Sequence, residues 1–592
     1  MKVLFSTLHF AGMRNFESVV RTLAERGHHV HVAAEEPETF GGQALVEGLA
    51  SEYPTFTFGW APLPDREPWY LFARKVRYAL EYVRFLSPEF SSAEKLRLRN
   101  VGRVPRLVRW ASALVPRSTL GARVLVQWLA WLERRIPVSS EVSSFLASHR
   151  PDILVLTSLT MARSTQIHQI KAARTLGMRT AVAVQSWDHL SSKALLHVAP
   201  EVTLVWNHVQ KEEAVSLHGL PAERVIVTGA QCYDQWFDRC PVRDRQQFCQ
   251  AMGLDPARRV VLYVCSAMSP VPNPVEPVFV RDWVFKLRAS DDPDLREASV
   301  LIRPHPERAR EWRDVSLDDC KHTVVSGRTP IDEDAKADFF DSLFYSDVVV
   351  GLCTSVFLEA AIVGRPVLTL LLPEFRMHQE GMAHFRYLLT VGGGLLHTAA
   401  DVPTHLEQLG ACLRLGAERD PRNRRFLEAF VRPEGLGVPS TGRFVAALET
   451  LAVRPAPQPD RWFVEQTSSA LVVRWLAAKA QSEVGKWLMI DSVEVARKQL
   501  EHDRARVKDS KFAARQSRLK AKADRVDRAA REAELERESK HAVRVRARRA
   551  KQLAVQEHKG RKRRLRWWRS ARSRAVEFCR GLSMKSIFRR FE

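Results

Sequence analysis

The chain has 592 residues, 45% of them hydrophobic, and a formal net charge of +23. That length holds about three to four domains with real cores, which excludes a disordered or fibrous protein. The charge is confined: residues 501–592 hold 31 Lys and Arg against 12 Asp and Glu, residues 66–136 hold 15 against 5, and the remainder is slightly acidic at −6.

An enzyme-like body thus carries two basic attachments. The 8 cysteines show neither a CxxC pair nor metal-ligand spacing, so reduced, mostly buried thiols are expected. The opening MKVLFSTLHF is too short an apolar run for a signal peptide, and no stretch reaches the ~18 apolar residues of a membrane span. A cytoplasmic protein is expected.

Lys2 to Ser6 reads as a strand, followed by a loop around Gly12 and Arg14, a helix from about Phe16 to Arg26, and a strand from Val30 to Ala34. This β-loop-α-β opening suits a Rossmann-like domain. Gly12 and Arg14 are candidates for a phosphate or acceptor loop, with a solvated arginine as the alternative. Residues 65–136 break the rhythm with Arg-rich, Trp-rich helical patterns. They suit both a helical subdomain packed on the sheet and helices lying in a membrane interface.

The rhythm resumes at PDILVLTSL, and the strand RTAVAV leads straight into QSWDHLSSKALL. Polar groups just after a parallel strand lie where open α/β sheets place ligands. Asp188 and His189 are therefore the candidates for a general base. A turn or cap residue and a surface imidazole are the alternatives. Two further strands close the first half, and a second α/β series starts at RVVLYVC.

In that series a proline-rich loop, SAMSPVPNPVEP, follows the first strand. SVLIRPHPER then presents Arg303 and His305 between prolines, which suits a diphosphate, or else leaves both side chains in solvent. SDVVVGLCTSVFLEAAIVGRPVLTLLLPEF reads as strand, turn, helix (Val356 to Ile362) and strand. Thr354 and Ser355 stand at the helix start, a place for a phosphate, and Glu359 lies one turn on, where a carboxylate can hold ribose hydroxyls. Simple capping and a solvated glutamate are the alternatives. A trailing loop adds His378, Glu380, His384 and Arg386, with His384 taken to the donor side.

Taken together, RPHP and SDVVVGLCTSVFLEAAIVGRPVLT resemble the C-terminal half of GT-B glycosyltransferases, particularly the CDP-glycerol glycerophosphotransferase and surface-polysaccharide branch. The resemblance spans roughly residues 1 to 450 and implies two Rossmann-like domains: 1–237, with the basic helical insertion at 65–136, for the acceptor, and 238–455 for the nucleotide donor. It implies that Arg303, His305, Thr354, Ser355 and Glu359 bind the donor without a metal, and that Asp188 or His189 deprotonates an acceptor hydroxyl. No cofactor beyond the nucleotide-activated donor is expected. A UDP-N-acetylglucosamine 2-epimerase-like enzyme and a non-catalytic scaffold of the same fold are the competing readings.

VRPAPQPDRW marks a linker, 456–500 a helical stretch and 501–592 a basic helical tail. In its last part Leu565, Trp568, Ala571, Ala575, Phe578 and Leu582 recur at helical spacing among arginines. An anionic membrane surface is the expected partner of 66–136 and 561–592, with nucleic acid as the rival. That would place the protein at the inner face of the cell membrane.

Overall fold

A computed structural model describes residues 1–38, 41–87, 90, 101–114, 119–161, 164–267, 275–312, 315–328, 330, 332–415, 420–460, 467–489 and 543–577. The chain divides into two units, Met1–Glu494 and Val495–Glu592.

The first unit holds two sheets. Strands β1 (Lys2–Thr7), β2 (His29–Ala34), β3 (Phe56–Trp60), β4 (Ile153–Leu156), β5 (Arg179–Ala183), β6 (Val202–Val205) and β7 (Val225–Val227) form one, in the order β3-β2-β1-β4-β5-β6-β7. In the other, β8 (Val260–Val264), β9 (Ser299–Arg303), β10 (Thr323–Val325), β11 (Val348–Gly351), β12 (Val367–Leu370) and β13 (His397–Ala399) run β10-β9-β8-β11-β12-β13. Every pairing is parallel. The central strands are buried on both faces, which is why they read as unbroken apolar runs. Strand order reverses between β1 and β4 and between β8 and β11, the places where open α/β sheets bind ligands. This is the two-domain α/β architecture expected of a GT-B-type chain.

The domain boundary differs from the sequence expectation. Helix Ser440–Val453, assigned by position to the second domain, packs Phe444, Val445, Leu448 and Leu451 into the core of the first sheet with Phe5 and Phe16. Its amino end lies against Gly229, whose φ of +87° and missing Cβ admit Ser440 at a distance no side chain would allow. Two crossings therefore join the domains, one near residue 234 and one near 432–440.

The insertion is a helical subdomain with an apolar outer face. Ala79, Leu80, Val83 and Leu129 of helices Tyr70–Phe85 and Thr119–Arg134 share one core. Trp110, Val124 and Trp128 stay 51%, 58% and 54% exposed, and the Arg135 guanidinium covers the Trp131 ring at 3.8 Å. Helix Thr467–Ala480 packs Val473 and Ala477 on Trp69 and Ala73, so this part of the expected helical stretch belongs to the body. In the second unit, residues 543–577 form one almost wholly exposed helix. Phe578, Leu582 and residues 501–542 lie outside the described residues. No helix among those described is long and apolar enough to cross a membrane.

Candidate active site between the two sheets

At the carboxyl edge of the second sheet the turn after β11 is held from two sides. The Cys353 N–H donates to Ser266 Oγ beyond β8 (3.0 Å), and Gln379 Nε2 donates to the carbonyls of Leu352 (3.0 Å) and Leu370 (2.8 Å). Thr354 and Ser355 lead from this turn into helix Val356–Ile362, where Ser355 makes no side-chain cap and Thr354 Oγ1 accepts only a long bond from Val356 N–H (3.4 Å). Their hydroxyls are thus available at the helix start.

His305 follows β9, two strand spacings or about 10 Å from β11 along the same edge. Its Nδ1 accepts from the Glu307 N–H (3.3 Å), which puts the ring proton on Nε2, and burial lowers its pKa. A neutral imidazole with a fixed Nε2–H donor results.

Arg303 does not join it, and the expected phosphate contact is corrected. The side chain is 6% exposed; Nη1 donates to Asp338 Oδ2 (2.9 Å) and Ser342 Oγ (2.5 Å), Nη2 donates to the Arg328 carbonyl (3.3 Å), and the guanidinium lies over Phe339. Its donors tie β9 to helix Glu333–Phe344. A strand-end arginine reads the same in sequence whether it turns out to solvent or back into the fold.

Glu359 lies where the two domains meet. Its Oε2 is shielded from solvent and has no hydrogen-bond partner among the described residues. Burial pushes its pKa up to about 8, against the field of Arg14 from the other domain. Both groups also act on the half-buried Cys232 and the buried Tyr233 of the crossover, so the loop after β1, the crossover and helix Val356–Ile362 converge on one point. The Arg14 loop is drawn in by Gln231, whose Nε2 donates to the Asn15 carbonyl (3.1 Å). Gly12 permits this: a Cβ there would lie 2.8 Å from Thr7 Oγ1 and 3.5 Å from Gln185 Oε1. Arg14 itself is exposed at the cleft.

The loop after β5 forms the adjoining wall. Gln185 Oε1 is buried with no partner among the described residues, and Trp187 meets His384 edge to face at 4.7 Å. His384 is therefore assembled with the first-domain loop, on helix Ala383–Thr390 instead of the expected trailing loop.

Asp188 accepts from Ser186 Oγ and Ser192 Oγ (2.8 Å each) and lies 3.4 Å from Lys193 Nζ. Burial acts to raise its pKa, but the Lys193 ammonium and the Ser186 hydroxyl outweigh it and hold the carboxyl well below the usual range. Asp188 is thus an ionised carboxylate with both oxygens already accepting hydrogen bonds. His189, 5% exposed, is kept neutral because burial lowers its pKa to about 4 although Asp188 opposes the shift, and its Nδ1 has no partner among the described residues. Behind them Glu213 accepts from Tyr387 Oη (2.6 Å), and burial raises its pKa to about 7.

The structure thus brings together Gly12, Arg14 and Glu359, and separately Asp188, His189 and His384, along one cleft. Thr354, Ser355 and His305 line the second sheet's edge, and Arg303 leaves the group. Sequence reading missed Gln185, Glu213, Gln379 and Tyr387. Only Gln185 carried a local signal, standing directly after a strand at a ligand edge.

No family model matches this chain, and no curated protein matches it either. Solved structures similar to it include the UDP-GlcNAc 2-epimerase of Methanocaldococcus jannaschii, at 13% identity and TM-score 0.44 over 76% of this chain and 99% of that one. A glycosyltransferase of Rickettsia africae aligns at 9% identity and TM-score 0.45 over 77% of this chain and 99% of its own. A UDP-GlcNAc 2-epimerase of Neisseria meningitidis bound to UDP-GlcNAc aligns at 12% and 0.44 over 76% and 100%. The architecture rests on the strand order described above.

Proposed function

We propose that this chain is a transferase that moves a glycosyl or polyol-phosphate group from a nucleotide-activated donor on the second sheet to an acceptor hydroxyl at the first. The observation that carries this is Glu359: a carboxyl oxygen shielded from water and with no partner among the described residues, one helical turn beyond the open hydroxyls of Thr354 and Ser355. Ribose hydroxyls would satisfy that oxygen, while the first-turn N–H groups, the two hydroxyls and the His305 Nε2–H would meet the diphosphate. Arg14 brings a cation to the same point from the other domain. His189 would take the acceptor proton, with the ionised Asp188 stabilising the imidazolium that forms.

The acceptor would be part of a surface glycan or a lipid-linked carrier, presented at an anionic membrane. Two apolar-basic surfaces support this: the outward Trp110 and Trp128 of the insertion, and Trp567 and Trp568, 63% and 68% exposed, on the tail helix.

A thermal-shift series on the full chain with CDP, UDP, GDP and their sugar or glycerol conjugates tests the donor site, since a ligand that binds the folded state raises its melting temperature. One nucleotide class is expected to stabilise the protein. Glu359→Ala is expected to weaken that nucleotide's binding by up to about 10-fold, the loss of one buried hydrogen bond. Unchanged affinity in that variant overturns the assignment. Turnover of the nucleotide sugar to its epimer with no acceptor present would replace transfer with epimerisation.

A further inference from the structure

Away from this cleft, under the helical insertion, lies a second cavity lined by Tyr70, Arg74, Arg77, Thr165, His168 and Ala194, among others. Its mouth, where Tyr70, Arg74, Met161 and Ser164 are half-buried, opens to solvent, and its inner space measures about 30 Å³. That is room for about two water-sized centres, the two oxygens of a carboxylate or of one phosphate edge.

Buried charged groups stand behind the wall. Glu133 Oε1 is the carboxylate partner of both Arg77 Nε (3.2 Å) and Lys171 Nζ (2.9 Å), and these three side chains are at least nine-tenths buried. Both cations draw on this one carboxylate, a buried arrangement that a further anion would stabilise. Glu81, the carboxylate on the lining, accepts from the Leu195 N–H (3.1 Å) and lies 3.5 Å from His197 Nε2. Glu35, behind Thr165, accepts from the Thr165 N–H (3.0 Å) and hydroxyl (3.0 Å).

Two donors are left over. Arg77 Nη1 donates to His168 Nε2 (3.0 Å), so the His168 proton sits on Nδ1, and neither that Nδ1–H nor Arg77 Nη2 has a partner among the described residues. Arg77 is 8% exposed and His168 0%. We propose that this cavity binds a small anionic group, a carboxylate or a phosphate, through the Arg77 guanidinium and the His168 imidazole, with Arg74 at the mouth. The site stands without the donor reading; only its use as the place where an acidic acceptor anchors rests on that reading.

Calorimetric titration of the full chain, without nucleotide and at fixed ionic strength, with inorganic phosphate and with glucuronate tests it. Saturable binding of one is expected, phosphate pointing to a phosphorylated ligand and glucuronate to a carboxylated sugar. Arg74→Ala, and Ala194→Leu, which fills the cavity, are each expected to weaken binding about 10-fold or more. No saturation with either anion overturns the proposal, because waters then satisfy the two donors. Unchanged affinity in either variant that still melts cooperatively also overturns it, because the anion then sits elsewhere, as on the basic tail. Should Ala194→Leu fail to fold, Arg74→Ala decides. Nucleotide affinity measured in parallel in Glu359→Ala reads the donor site separately, so either site is able to fail alone.

Discussion

Glu213 shows how a single buried carboxyl ties the domains to pH. It is 4% exposed and accepts from Tyr387 Oη across the domain contact. With its folded pKa raised to about 7, it keeps a proton that the unfolded chain releases near pH 4.5. The folded state binds more protons in that window, so this group's contribution falls as pH rises from about 4.5 to 7 and is level beyond. Buried histidines such as His189, whose pKa falls to about 4, act the other way between pH 4 and 6.5. A difference measurement isolates the carboxyl: in urea unfolding at pH 5 and pH 8, Glu213→Gln is expected to remove about 2–3 kcal/mol of the wild-type loss across that span. An unchanged pH dependence would show that Glu213 is ionised in the folded protein.

At the scale of elements, the return of helix Ser440–Val453 to the first sheet hangs on Asp234. Its Oδ1 accepts from Arg432 Nη2 (2.7 Å) and Ser440 N–H (3.1 Å), and its Oδ2 accepts from the Thr441 N–H and hydroxyl (2.7 Å each). Removing it leaves a buried guanidinium and two amide donors unpaired, so Asp234→Ala is expected to cost about 3–5 kcal/mol by denaturant unfolding. A loss under about 1 kcal/mol would mean that apolar packing of Phe444 and Leu448 alone holds the helix. The first crossing also carries Cys232 and Tyr233, on which the fields of Arg14 and Glu359 both act.

For the whole molecule, the proposed membrane contact rests on charge and exposed aromatics. The insertion and tail together carry all of the positive excess, and each shows tryptophans to solvent. Co-sedimentation with vesicles rich in anionic lipid is expected to retain the full chain at low salt and to release it as salt rises. The double variant Trp567→Ala and Trp568→Ala is expected to lower binding about 10-fold or more, since each buried indole contributes several kcal/mol at most. Equal binding to neutral vesicles, or none to either, would remove the membrane reading.

The alternation of apolar runs with amphipathic stretches was enough to read both parallel sheets, because strands covered on two faces must be apolar throughout. Helix Val356–Ile362 was legible to the residue, and so was the placing of Thr354, Ser355 and Glu359 around it. The edge strands β3, β10 and β13 were not: they are short and half-exposed, so they carry little apolar signal. Tertiary structure alone decided the partners. It turned Arg303 inward to Asp338, gave Asp188 two hydroxyls and a lysine, set His384 against Trp187, and left Glu359 Oε2 with no partner among the described residues. A residue's type and local period depend on near neighbours, whereas its protonation and its freedom to meet a ligand depend on groups brought near by the fold from distant positions in the chain.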